Sequence, residues 1–167
     1  MRKILLTSLV ICTALLFGAE VRAQAPAAPP APPPPYGTPI TLEQAMKVGA
    51  AAREEVKKNN TNQAIAVVEP SGALVYFEKV DGTSYSSIAI TQNKAITAAT
   101  FRRPSKAFHD RAAQNDFAIL TLGQGLVAFD GGIPIVVGGK IIGAIGVSGA
   151  TPAQDGQVAQ AGANAVK

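Results

Sequence analysis

The sequence predicts an α+β domain in which helices flank an antiparallel sheet. Two hairpin signals carry this prediction, because strand-like runs flank the turn residues Pro70-Ser71-Gly72 and, later, the dipeptide Gly138-Gly139. Segments with helical spacing of apolar residues lie before, between and after these hairpins. Strands joined by hairpins, with helices grouped between them, are typical of α+β domains.

The first helix is expected to begin after Thr41, because Gln44 stands three residues later and completes a capping-box pattern. Apolar and small residues then recur at helical spacing up to Val56, with charged residues on the other side. Asn59 and Asn60 are expected to end this helix.

The first hairpin and the second helix follow in the sequence. Residues 64–69 form a short β-branched run, and residues 74–80 alternate like a half-buried strand. The turn dipeptide Asp81-Gly82 ends the second strand. Residues 86–101 return to helical spacing and carry a small apolar side.

Pro104 interrupts this helical pattern, and Ser105 is predicted to cap a second, shorter helix that carries Phe108. The stretch from Leu120 to Phe129 is ambiguous. Further strands flank the second hairpin signal, and Thr151-Pro152 opens a final alanine-rich helix. The predicted order is therefore helix, two strands, two helices, about three strands and a helix.

Residues 1–23 have the layout of a secretory signal peptide. Arg2 and Lys3 precede an apolar run, and small residues stand before the predicted cleavage point after Ala23. A membrane anchor is the alternative, but roughly 15 apolar residues are fewer than the ~20 that span a bilayer. We therefore predict a periplasmic or secreted protein with no membrane span after cleavage.

Residues 24–37 are rich in proline and alanine and predict an extended spacer, which leaves residues 38–167 as the folded domain. A ligand for a proline-binding partner is the alternative reading of this segment. The single cysteine, Cys12, lies in the predicted signal peptide, and the chain has no tryptophan. The folded part therefore offers no disulfide, cysteine nucleophile or thiolate metal site.

The charge of the predicted mature chain excludes nucleic-acid binding. Once the signal region is removed, 12 positive and 10 negative groups remain, a net charge of +2. A nucleic-acid-binding domain is expected to be strongly basic.

Two glycine motifs resemble catalytic or cofactor signatures but lack their context. Residues 123–128 have the letters of a dinucleotide-binding loop, but a strand rather than a helix is expected after them. Ser148 stands in a partial nucleophile elbow, but the only histidine precedes it, against the hydrolase order. Neither motif supports a site.

His109 is the residue that keeps a metal or proton-transfer role open. A single histidine can serve as an axial ligand of haem iron, whereas a structural zinc site needs several ligands. Arg102, Arg103 and Lys106 form a basic cluster nearby that could pair with haem propionates. The alternatives are an exposed helix histidine beside Asp110 and a plain solvated helix end.

A string of motifs resembles the GlcG/HbpS family of small haem-binding or haem-degrading domains, also called the PduO C-terminal-like domain. Its most specific piece is the segment 142–149, which reads Gly-Ala-Ile-Gly-Val-Ser-Gly after Ile142. The other pieces are, in order, Ala64-Ile65-Ala66-Val67-Val68, Gly72, Leu74, Asp81-Gly82, Lys94-Ala95, Thr97-Ala98-Ala99, Gly131-Gly132-Ile133-Pro134 and Gln154-Asp155. The resemblance covers about residues 40–167.

The resemblance implies a profilin-like fold, with about five antiparallel strands flanked by helices, and assembly into homo-oligomers. It also implies binding of haem or a related tetrapyrrole, with exported members sensing or scavenging haem. The assignment of His109 as iron ligand is an inference from its being the only histidine.

Two other functions remain open from the sequence. The first is an enzyme linked to oxidative metabolism, with Glu69, Asp81, Asp130 and His109 as candidate acid–base groups. The second is an oligomeric protective protein without a ligand.

Overall fold

The structure, a computed structural model, describes residues 31–123 and 125–166 of the 167-residue chain. The predicted signal peptide and the spacer up to residue 30 lie outside the described residues. The elements, in chain order, are α1 (Leu42–Lys58), β1 (Ala64–Val68), β2 (Leu74–Lys79), α2 (Ser86–Phe101), α3 (Lys106–Ala113), a short 3₁₀ helix (Phe117–Thr121), β3 (Gly132–Val137), β4 (Lys140–Ser148) and α4 (Pro152–Ala163). Among these helices, none combines the length and apolarity that crossing a membrane requires.

The strands form one antiparallel sheet in the order β2-β1-β4-β3. This confirms the predicted α+β class with an antiparallel sheet flanked by helices. The described residues contain four strands against about five expected, because residues 120–123 and 125–129 form the end of the 3₁₀ helix and irregular loop rather than a further strand. Both predicted hairpins are present.

Helices cover both faces of the sheet. α1 and α4 pack on one face against the side chains of Ile65, Val67 and Ile145, all fully buried. α2 packs on the other face, where small residues such as Ala66 and Ala144 line the sheet. The large aliphatic side chains of the core lie mainly on the α1–α4 face. Burial of each of them stabilises the fold by about 1.5–3 kcal/mol.

Glycines allow α2 to lie unusually close to the sheet. Gly146 on β4 pairs in register with Gly132 on β3. A Cβ atom at Gly146 would collide with the carbonyl oxygen of Thr91 and lie 2.7 Å from the backbone nitrogen of Ala95. A Cβ atom at Gly132 would collide with the backbone of α2 in the same way. The chain's own helix, rather than a ligand, fills the space beside these glycines.

The last residues of the predicted spacer contact the domain. The backbone of Pro35 and Gly37 makes hydrogen bonds of 2.9 and 2.8 Å with Ile141 at the start of β4. The hydroxyl of Tyr36 donates to the carbonyl oxygens of Ala99 and Thr100, both at 3.0 Å, at the end of α2. Residues 34–37, called the N-terminal strap below, therefore attach to α2 and β4.

The prediction that Ser105 caps α3 is wrong. Its backbone is already helical and its side chain makes no capping hydrogen bond. The buried hydroxyl instead donates to the carbonyl oxygen of Phe129 at 2.6 Å and accepts from the backbone nitrogen of Gly132 at 2.9 Å. Ser105 therefore joins the start of α3 to the loop before β3. In contrast, the predicted capping box at Thr41 is present, and Thr151 forms a second capping box at the start of α4.

Candidate functional site

His109 lies on the accessible side of α3 beside an accessible aromatic ring. Its side chain is 47% exposed, and its Nδ1 atom lies 3.4 Å from Oδ1 of Asp110. The ring of Phe129, a residue that is 54% exposed, has its centroid 6.0 Å from that of the imidazole, with 41° between the planes. Helix α3 and the loop that precedes β3 thus present two neighbouring rings to solvent.

Lys106 lies one turn before His109 and Asp110 and shares the carboxylate of Asp110 with the histidine. Its Nζ atom lies 2.6 and 2.7 Å from the two carboxylate oxygens. The hydrogen bond to Asp110 raises the pKa of Lys106, and hydrogen bonds from Lys106 and then His109 lower the pKa of Asp110. A ligand carboxylate approaching Lys106 would therefore compete with Asp110.

The two arginines predicted for this site contact other groups. The guanidinium of Arg102 lies over the ring of Tyr36, 5.5 Å from its centroid, and donates a long hydrogen bond of 3.5 Å to the carbonyl oxygen of Pro34. Arg103 is exposed, and its Nε donates to the carbonyl oxygen of Phe101 at 3.2 Å. Arg102 is thus engaged with the N-terminal strap, while Arg103 remains at the surface.

The single histidine ligand that this region offers suits an iron ion whose other ligands come from a tetrapyrrole. Within the described residues, no three histidine, cysteine or carboxylate side chains converge on a metal position. A tetrapyrrole supplies four nitrogen ligands, so the iron needs only one or two from the protein. Because the Nδ1 atom is the ring nitrogen that faces Asp110, the Nε2 atom of His109 is the one suited to coordinate iron.

The carboxylates considered for acid–base catalysis lie in different parts of the domain. Glu69 accepts a hydrogen bond of 2.6 Å from Ser71 in the first hairpin turn. Asp130 accepts from the backbone nitrogen of Gly131 at 2.8 Å, before β3. Asp81 lines an open cleft of about 500 Å³ between the end of α1 and the end of β2. Of these three carboxylates, only Asp81 lines that cleft, so the cleft does not bring two of them together.

The fold and the motifs agree with one known protein family. Residues 40–164 match the family model described as "Haem degrading protein HbpS-like". The chain belongs to the HbpS-like family.

Individual relatives agree with this assignment. Protein GlcG of Escherichia coli (strain K12) is 41% identical over 109 residues, which is 65% of this chain and 81% of GlcG. A doubly substituted HbpS of Streptomyces reticuli superposes with a TM-score of 0.72 at 32% identity, covering 87% of this chain and 99% of that one. A PduOC:haem complex also gives a TM-score of 0.72, covering 78% and 96%, but at 20% identity it shows the fold alone.

This HbpS-like domain also contains a buried ion pair that the sequence reasoning did not identify. The Nζ atom of Lys94 on α2 lies 2.7 Å from Oδ2 of Asp155 on α4, with side chains 3% and 4% exposed. Lys94 also donates to the carbonyl oxygen of Val147 at 2.9 Å. Asp155 accepts from the amide of Gln63 at 2.8 Å and from the backbone nitrogen of Ala150 at 3.1 Å. The ammonium therefore has two hydrogen-bond partners and the carboxylate has three, which helps to offset the cost of burying both groups.

One signal in the sequence could have identified Lys94. It stands at helical spacing with Thr91, Ala95 and Ala98, all on the buried side of α2. A lysine among such residues needs a buried anionic partner. That partner lies 61 residues away, and the sequence alone does not say which acid it is.

Proposed function

We propose that this protein is an exported haem-binding protein, which senses or scavenges haem or a related tetrapyrrole. The observation that carries the proposal is the accessible imidazole of His109 beside the exposed ring of Phe129. Membership of a family described by haem degradation supports it. When bound, the haem would supply the iron and its redox chemistry.

Each residue of the site has a defined part in this proposal. His109 would hold the iron through its Nε2 atom, and Asp110 at Nδ1 favours the tautomer that leaves Nε2 unprotonated. Lys106 and Arg103, both exposed, are the cations for the propionates. Arg102 is better suited to hold the N-terminal strap, since it already contacts Tyr36 and Pro34.

Titration with hemin tests this proposal. We expect the untagged protein to give a saturable shift of the Soret band, and His109→Ala to weaken binding by about 100-fold or more because the iron loses its protein ligand. Gln114→Ala, at the end of the same helix, is the matched control and is expected to bind like the parent chain. An unchanged titration of His109→Ala would reject His109 as the ligand. A large, colourless assembly unaffected by hemin would support the ligand-free protective function instead.

Export and assembly belong to the same proposal. We expect the protein recovered from the periplasm or the medium to begin at Gln24, because small residues precede the predicted cleavage point. Intact mass measurement of the recovered protein checks the cleavage, and light scattering on the same sample checks the proposed homo-oligomer. A cytoplasmic protein that retains Met1 would contradict export, and a monomeric mass would contradict the oligomer.

A further inference from the structure

The loop that carries Phe129 is attached to the start of α3 by one buried residue. Ser105 is fully buried, and its hydroxyl donates to the carbonyl oxygen of Phe129 at 2.6 Å. The same hydroxyl accepts from the backbone nitrogen of Gly132 at 2.9 Å, and the Ser105 backbone nitrogen donates to the Gly132 carbonyl oxygen at 2.9 Å. Three hydrogen bonds therefore attach Phe129 and Gly132, at the two ends of this loop segment, to Ser105.

The position of Ser105 along α3 connects these hydrogen bonds to the histidine. His109 follows Ser105 by four residues, about one helical turn, so both residues lie on the same side of the helix. Holding the Phe129 backbone at Ser105 places the Phe129 ring one turn further along, beside the imidazole. The observed separation of the ring centroids, 6.0 Å, is within the range of direct aromatic contacts.

The packing around Ser105 leaves this arrangement little freedom. A Cβ atom at Gly132 would lie 2.8 Å from the Ser105 hydroxyl and would collide with the carbonyl oxygen of Lys94. The anchor is thus tightly packed, whereas the two rings that it holds are about half exposed. A buried anchor beneath two accessible rings is the arrangement expected of a prepared contact surface.

We propose that Phe129 is the aromatic contact for the tetrapyrrole beside His109, and that Ser105 is the positioning residue that holds Phe129 there. This inference rests on the proposed haem binding. A flat conjugated macrocycle packs favourably against an aromatic ring, in an offset or tilted arrangement. Phe129 would supply the apolar contact to the macrocycle, and His109 would hold the iron.

The first measurement needs no haem. The chain has a single histidine, so its imidazole protons can be assigned directly in a proton NMR spectrum of the untagged protein. We expect Phe129→Leu to shift these resonances, because the ring current of the phenyl group is lost, and Ser105→Ala to shift them in the same direction. Phe117→Leu is the matched control, since Phe117 is also exposed, at 58%, and should leave them unchanged.

The second measurement is the hemin titration of the same variants. We expect Phe129→Leu to weaken hemin binding by about threefold to tenfold, the size of one aromatic contact, and to move the Soret maximum. Ser105→Ala should weaken binding in the same sense, and Phe117→Leu should not.

The two measurements separate the inference from the proposed function. Shifted His109 resonances without any hemin binding by the parent protein would reject haem binding and keep Ser105 as the positioning residue. Normal hemin binding by both Phe129→Leu and Ser105→Ala would overturn the inference while haem binding stands. If Ser105→Ala does not fold, Phe129→Leu decides the role of the aromatic contact, because its side chain is exposed.

Discussion

Replacing Asp155 with alanine is expected to lower the free energy of unfolding by about 3–5 kcal/mol, because the ammonium of Lys94 would remain buried without a counter-charge. The two side chains are only 3% and 4% exposed, so water cannot take the place of the carboxylate. The amide of Gln63 and the backbone nitrogen of Ala150 would lose their acceptor as well. Urea unfolding of the variant and the parent protein measures the difference.

An exposed ion pair of the same length provides the control for this prediction. Lys47 and Glu43 on α1 are also 2.7 Å apart, but their side chains are 60% and 80% exposed. Glu43→Ala is therefore expected to lower the free energy of unfolding far less than Asp155→Ala, because water screens the exposed pair. If Asp155→Ala were no more costly than Glu43→Ala, the buried pair would not stabilise the domain. The double variant Lys94→Met/Asp155→Leu should recover part of the loss, because it removes the unpaired charge.

Replacing Gly146 with valine is the second substitution with a large expected effect. The new Cβ atom would collide with the backbone of α2 at Thr91 and lie 2.7 Å from the nitrogen of Ala95, and a helix backbone cannot rotate away as a side chain can. The helix would have to move off the sheet, and we expect a loss of about 3 kcal/mol. The melting temperature and the midpoint of urea unfolding measure it.

The other end of the same strand gives the control. Lys140 begins β4 and is exposed, so Lys140→Ala is expected to change stability by no more than about 0.5 kcal/mol. A Gly146→Val protein as stable as the parent would mean that α2 does not depend on close approach to the sheet. Gly146 and Gly132 would then need another explanation, such as contact with a ligand.

The elements of the fold were predictable from the sequence because their signals are local. Thr41 and Thr151 each form a capping box with a glutamine three residues later. Each hairpin has residues typical of turns between its two strands. The helical spacing over residues 86–101 gave the bounds of α2, Ser86–Phe101. The α+β class followed from the order of these elements.

What could not be predicted depends on partners far away in sequence. Ser105 has the right residue type and place for a helix cap, but its hydroxyl is used by a residue 24 positions later. The contact between His109 and Phe129 also joins residues that lie far apart in sequence, and the sequence left residues 120–129 ambiguous. The histidine could therefore be selected from composition, while the aromatic ring beside it needed the fold.

The buried pair of Lys94 and Asp155 also bears on how the domain folds. Asp155 lies on the last helix, and it joins Lys94 across 61 residues and Gln63 across 92. Contacts over such separations cost loop-closure entropy and slow folding. During synthesis, the sheet and α2 have no counter-charge for Lys94 until α4 has been made. A chain that stops before α4 would therefore have to bury the ammonium of Lys94 without its carboxylate partner, which disfavours folding of an incomplete domain.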